Sequence, residues 1–251
     1  MSIAKTPSPW VVIPRSDGRA RLRLFCFPYA GGGARTFHPW ARMLPSGVEL
    51  CAVQPPGREN RLSEAPYTNM LELVDRLAEV LAPWMDVPFA FFGHSNGAIM
   101  SFELARRLRR AGRPLPLHLF LSGRQAPHLP PRHEPIHALA EPAFSERLRR
   151  LEGTPEEILQ NDEIMELVRP LLRADFALAE TYAYAAEPPL AIPISAYGGD
   201  EDPDVFVDDV HAWREYTSAA FHARIFPGGH FFLHSGRAAV LEELSREIAR
   251  L

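Results

Sequence analysis

Short apolar runs recur along the chain, most of them bounded by glycine or proline. LRLFCF (22–27), VELCAV (48–53), PFAFFG (88–93), LHLFLS (117–122), AIPISAYG (191–198) and FHARIF (221–226) read as strands. Between them the apolar period changes to that of a helix. Across 69–84, Met70, Leu73, Val74, Leu77, Val80, Leu81 and Trp84 fall on one face at 3.6-residue spacing. Residues 96–110, 208–216 and 235–250 give further helices. This alternation predicts an α/β fold whose mostly parallel sheet is covered on both faces. Residues 1–20, rich in Pro, Ser and Gly, predict a loose arm.

One connection breaks the rhythm. Between Gly123 and Leu190 about 70 residues stand where a single crossover helix suffices. The segment opens with PHLPPRHEP and then turns helical: AFSERLRRLEG, a short helix opening at Thr154-Pro155-Glu156-Glu157, and a long run over 162–186. Thr154 as N-cap, Pro155 at N1 and Glu157 at N3 form a capping-box signature. Pro170 predicts a kink or break in the long run. Ligands of open α/β sheets bind at the carboxyl ends of the strands. The segment at about 124–190 is therefore read as a helical lid inserted into one domain spanning 1–251; a plain second domain is the alternative.

Composition narrows the classes. Apolar residues make up 46% of 251, enough for a large core. A net charge of −4 gives no global reason to expect nucleic acid as a partner. MSIAKTPSPW has no apolar signal region, and no apolar run approaches a membrane span, so a soluble cytoplasmic protein is expected. Cys26 and Cys51 each sit inside an apolar run and read as small core residues. No His or Cys cluster has metal-ligand spacing.

The chemistry starts at FFGHSNGAIM, residues 91–100. A serine hydroxyl is a poor nucleophile at neutral pH and needs an exposed position with a base in reach. The frame G-x-S-x-G can supply the position. The serine rides a sharp turn between strand and helix, and the flanking glycines remove clashes that a Cβ would cause. Here PFAFF is the strand, Gly93 and Gly97 give room, and AIMSFELARRLRR is the helix. Ser95 is the candidate nucleophile; an ordinary glycine-rich turn is the alternative.

A serine in this setting demands an acid after a late strand and a histidine after the last one. AIPISAYGGDEDPDV offers Asp200, Glu201, Asp202 and Asp204, and FHARIFPGGHFFL offers His230 behind a Pro-Gly-Gly turn. Asp202, beyond the strand end and followed by Pro203, is the candidate acid, with Asp200 second. His94, His222 and His234 read as structural. Hydrolysis through a tetrahedral intermediate also needs two backbone N–H donors. One is the amide of Asn96. The other belongs to FPYAGGGARTFHPW (27–40), where Ala30 is the candidate and Gly31 second. A phosphate-cradling loop is the alternative for Gly31-Gly32-Gly33, but the Walker lysine and the dinucleotide glycine spacing are lacking.

With these residues in order, the chain resembles the type II thioesterases of polyketide and nonribosomal peptide synthesis. The likeness runs from about residue 20 to 250 and rests on FPYAGGGARTFHPW, VQPPGRENR, FFGHSNGA, SGRQAPH, YGGDEDP and FPGGHFFL. It implies an α/β-hydrolase core with a helical lid. It implies hydrolysis of acyl groups from the phosphopantetheine arm of acyl or peptidyl carrier proteins, with no cofactor and no metal. It places the triad on Ser95, Asp202 and His230, and the oxyanion amides on Ala30 and Asn96.

Asn96 departs from the pattern, since such enzymes commonly carry methionine there. Its side chain either bonds a local loop, or tunes the substrate or suits a transferase or otherwise altered role. Arg58 and Glu59 of PPGREN either brace a loop through Arg58 salt bridges or touch substrate. Arg106, Arg107, Arg109 and Arg110 close the helix after Ser95, where cations suit the helix dipole. They form a solvated helix end or a docking patch for an acidic carrier. Three functions compete: an editing thioesterase, an esterase or acyltransferase acting on a free small molecule, and an idle hydrolase-like binding protein. The Ser95, Asp202 and His230 set argues against the last.

Overall fold

Strands apolar at nearly every position belong inside a sheet covered on both faces, and these runs lie there. The structure, a computed structural model, describes residues 8–16, 18–151, 153–154 and 156–251. The strands are β1 Val11–Val12, β2 Leu22–Phe27, β3 Val48–Val53, β4 Phe89–His94, β5 Leu119–Ser122, β6 Ile194–Gly199 and β7 Phe221–Phe226. Their order across the sheet is β1-β3-β2-β4-β5-β6-β7. Among the described residues only the β1–β3 pair is antiparallel. The expected α/β fold is the one observed.

The expectation of a loose arm is corrected over its second half. Val11 pairs with Val53 and Val12 with Ala52. Trp10 is buried with the Arg61 guanidinium 4.2 Å from its ring centre. The apolar Trp10-Val11-Val12 triplet outweighs the turn-forming residues around it, because it covers the edge of β3. Residues 1–7 lie outside the described residues.

Side-chain alternation divides the core in two. Phe25, Phe27, Cys51, Val53 and Phe91 face one layer with α1 Met70–Val80 and α2 Asn96–Arg110. Leu24, Cys26, Leu50, Ala52 and Phe92 face the other, with the 3₁₀ helix Ala34–Arg42 and the C-terminal helix. Cys26 and Cys51 thus point to opposite layers; both are buried and neither is in a disulfide. Burial pushes the Cys26 thiol well above its usual range, which leaves it inert. Asn69 caps α1, its side chain accepting from the amides of Leu71 and Glu72. Arg23 sits inside β2 against its register partner Glu49 on β3, an ion pair that its apolar run conceals.

Between β5 and β6 the chain forms α3 Ala143–Arg150, α4 Glu156–Leu159 and α5 Asp162–Glu180. Ile136, Phe144, Leu148, Leu159, Met165 and Leu172 give these helices a small core of their own. Pro155 of the expected capping box lies outside the described residues. Of the kink or break expected at Pro170, the break does not occur: α5 runs through it and ends at Glu180 rather than 186. Pro170 is exposed, so water can solvate the carbonyl it orphans, while Leu171, Leu172, Ala174 and Leu178 are buried and hold the helix. The remaining helices are α6 Val207–His211, extended by a 3₁₀ turn, α7 Phe232–Ser235 and α8 Arg237–Ile248.

The return segment to β6 is tied down by charge. Arg106, Arg109 and Arg110 converge on Glu187 at 2.5–3.0 Å, and Arg109 also donates to the carbonyls of Pro188 and Pro189. Burial alone would raise the Glu187 carboxyl, but the three guanidinium groups hold it down at about 2. Arg107 pairs with Asp75. The arginines that close α2 are therefore engaged within the chain.

Candidate active site

β4 runs into α2 through a turn with room for nothing larger than glycine at either flank. A Cβ on Gly93 would stand 2.0 Å from the Gly97 carbonyl oxygen, and one on Gly97 would stand 2.1 Å from that of Phe27. Between them Ser95 has φ 54° and ψ −113°. A positive φ costs a β-carbon residue roughly 1–3 kcal/mol and persists where the surroundings over-determine it. Here the Ser95 amide donates to the Ser122 carbonyl at 2.8 Å, tying the turn to the neighbouring strand. The serine is left at the N-terminus of α2, with the positive end of the helix dipole beneath it.

β6 and β7 deliver the other two groups. The Nδ1 of His230 lies 2.7 Å from Oδ2 of Asp202. The other carboxylate oxygen of Asp202 accepts the amides of Asp204 and Val205 at 2.9 and 3.1 Å. Asp202 is almost fully buried and its orientation is set from both sides. Asp200, the second candidate, accepts the Gly228 amide at 2.8 Å and so shapes the turn that carries His230. Gly199 lets that turn approach: a Cβ there would stand 2.3 Å from the Gly228 carbonyl oxygen.

Ser95, Asn96, Ala30 and His230 line one cavity of about 270 Å³. Its far wall comes from the 124–190 segment, through Leu172, Phe176, Glu180 and Tyr182 among others. The Gly31 amide donates to Oδ2 of Asp175 at 2.7 Å. That bond engages the second oxyanion candidate and leaves Ala30 the one facing the cavity.

The other histidines have different partners. His94 is fully buried with its ring 5.1 Å from that of His230, and its Nδ1 lies 2.9 Å from the Ser122 hydroxyl. Burial, then the charges of His230 and His234, pull its pKa well below the usual value, so it stays neutral behind the site. His234 meets the Tyr29 hydroxyl at 2.9 Å and helps hold the start of the glycine-rich loop.

Of the residues that brace this loop, sequence reasoning offered Arg58 as a salt-bridged support and missed Gln54 and Asp175. Oε1 of Gln54 accepts the Ala34 amide at 2.6 Å, and Glu59 accepts the Arg35 amide at 3.0 Å. Arg58 forks onto Asp175 at 2.9 and 2.8 Å and donates to the Gly32 carbonyl at 2.9 Å. PPGREN therefore acts as a buttress, and Asp175 lies in a helix where no motif marks it. The Asn96 side chain reaches beyond any local loop: its Nδ2 donates to the Asp175 carbonyl at 2.6 Å. SGRQAPH supplies Arg124 to the cavity wall, where its Nε has no hydrogen-bond partner and burial lowers its pKa.

Among the described residues, His222, Glu243 and Glu247 could bring ligand atoms within 4.8 Å of one another. These groups are otherwise engaged: Glu247 accepts from the Ser195 and Tyr197 hydroxyls, and Glu243 pairs with Arg246. No described helix is long and apolar enough to cross a membrane.

A mostly parallel sheet with a strained serine at the β4–α2 elbow defines an α/β-hydrolase. The chain belongs to the thioesterase family, whose domain model matches residues 22–248. It is 42% identical over 248 residues to the gramicidin S biosynthesis protein GrsT of Aneurinibacillus migulanus, covering 99% of this chain and 97% of that one. It is 40% identical to the thioesterase PikA5 of Streptomyces venezuelae over 89% of this chain and 80% of the relative. The solved type II thioesterase BorB from the borrelidin biosynthetic cluster superposes with a TM-score of 0.87. That match has 37% identity and covers 96% of this chain and 98% of BorB.

Proposed function

We propose that this thioesterase hydrolyses acyl groups from the phosphopantetheine arm of carrier proteins, clearing stalled or misprimed units. The observation that carries the chemistry is the 2.7 Å contact of His230 with Asp202, with His230 and the strained Ser95 opening on one cavity. Oγ of Ser95 attacks the thioester carbonyl as Nε2 of His230 takes its proton. Asp202 keeps the other ring proton on Nδ1 and stabilises the imidazolium. The amides of Ala30 and Asn96 hold the oxyanion. Collapse breaks the C–S bond, and the pantetheine thiolate leaves with the proton from His230. Water, activated by the same histidine, then attacks the acyl-enzyme and releases the free acid.

The carrier substrate is supported by the likeness to proteins of peptide and polyketide biosynthesis. The helices of about 124–190 serve as a lid within a single domain, because they wall the cavity from above the strand ends. The test offers acyl-loaded carrier protein, acyl-coenzyme A and a simple ester side by side. Faster turnover of the carrier substrate is expected. Hydrolysis of esters alone would point to an esterase, and no hydrolysis of any substrate to a binding protein.

A further inference from the structure

Asp175 joins three parts of the molecule that the chemistry needs in register. Its Oδ2 accepts the Gly31 amide at 2.7 Å, and its two carboxylate oxygens receive the Arg58 fork. Arg58 in turn donates to the Gly32 carbonyl. The glycine-rich loop is thus gripped at two successive residues, immediately after Ala30. Because the peptide unit is planar, fixing the Gly31 amide also fixes the Ala30 carbonyl and the direction in which the chain leaves Ala30. The main-chain carbonyl of the same Asp175 accepts the Asn96 side chain at 2.6 Å, at the first residue of α2. One turn of α5 therefore touches both segments that offer an amide to the oxyanion. Asp175 is 1% exposed and Asn96 3%, so neither contact is made by a loosely solvated group.

We propose that Asp175 is a positioning residue for hydrolysis and that Asn96 is its second anchor. Together they latch α5 onto the oxyanion loop, so that the two amides align only while the lid is seated. The role deepens the thioesterase reading and rests on it for its kinetic part. It also gives Asn96 a function that a methionine could not fill, since a thioether has no N–H to donate to the Asp175 carbonyl. An oxyanion bond matters most once charge has moved onto oxygen, so a misaligned hole lowers kcat more than it raises KM.

Two variants test the latch. Asp175→Asn should lower kcat about 10- to 100-fold, somewhat less than the loss of a whole oxyanion donor, with KM within about threefold. Rates are expressed per folded protein, measured by circular dichroism at the assay temperature. Asn96→Met should speed amide hydrogen exchange over 162–180 while leaving β2, β4 and β5 protected. The exchange readout needs no substrate. If the wild-type chain hydrolysed no thioester, the functional reading would fail while the exchange result still judged the latch. Wild-type kcat in Asp175→Asn, or a loss carried wholly by KM, overturns the positioning role. Unchanged exchange in Asn96→Met overturns the latch, and this variant decides the matter if Asp175→Asn does not fold.

Discussion

Gly97, at the start of α2, lies against the carbonyl of Phe27, at the end of β2, with no space for a methyl group: a Cβ would stand 2.1 Å from that oxygen. The contact brings the nucleophile elbow to the root of the glycine-rich loop, two strands that are far apart in sequence but adjacent in the sheet. The obstruction is backbone, so it cannot be relieved by a rotamer change. Gly97→Ala should destabilise the fold by about 1–3 kcal/mol and lower kcat by separating the Ala30 and Asn96 amides. Urea denaturation and steady-state kinetics check the two effects; wild-type values in both would contradict the packing.

Ser95, the proposed nucleophile, sits at a positive φ. Ser95→Gly should raise stability by roughly 1 kcal/mol, because glycine accepts a φ of 54° without penalty. The same change, like Ser95→Ala, should lower turnover by about a thousandfold or more through loss of the nucleophile. Thermal melts beside thioester hydrolysis measure both. A less stable Ser95→Gly would mean that the turn is not strained.

Arg58 and Asp175, 117 positions apart, form a buried two-bond ion pair. Removing one member of such a pair leaves a charge without its partner in a dry site. Arg58→Ala should therefore cost about 3–5 kcal/mol, with little response to added salt. Arg58→Lys should recover only part of this, since an ammonium cannot match both carboxylate oxygens. Full stability in Arg58→Lys would show that the fork geometry is immaterial.

Stability should fall on acidification because of buried neutral histidines. Burial, then the charge of His222, lowers the His118 pKa to about 4, and burial lowers that of His94 as well. Unfolded histidines titrate near 6.5, so below that pH the unfolded chain binds more protons than the native one. Stability is then complete above about pH 6.5 and declines as the pH drops toward 4. His118 alone should account for about 2 kcal/mol between pH 7.5 and 5. Urea midpoints at the two pH values, compared with those of His118→Gln, measure it. An identical slope in the variant would assign the effect elsewhere.

The strands were readable because their burial demands unbroken apolar runs: LRLFCF, VELCAV and FHARIF match the observed bounds of β2, β3 and β7. The other strands differ by one to three residues at their ends, where hydrogen bonding to a neighbour, invisible in a single run, sets the limit. β1 escaped notice because two residues become a strand only when β3 is beside them. Pro170 does not end α5, since its effect depends on which face of the helix meets water.

The sequence by itself determined the α/β layering, the elbow at Ser95 and the order in which Asp202 and His230 follow it. These are local demands of periodicity, turn sterics and chain order, and each is written in a few neighbouring residues. Only the tertiary structure set His230 against Asp202 rather than Asp200 and turned Ala30 rather than Gly31 to the cavity. In it the other two candidates are already bonded: Asp200 to Gly228, and Gly31 to Asp175. It alone gave Asn96 a partner in a helix 79 residues away. A polar side chain's role is set by the donor or acceptor that folding puts within 3 Å of it, and that neighbour is chosen by packing rather than by sequence distance.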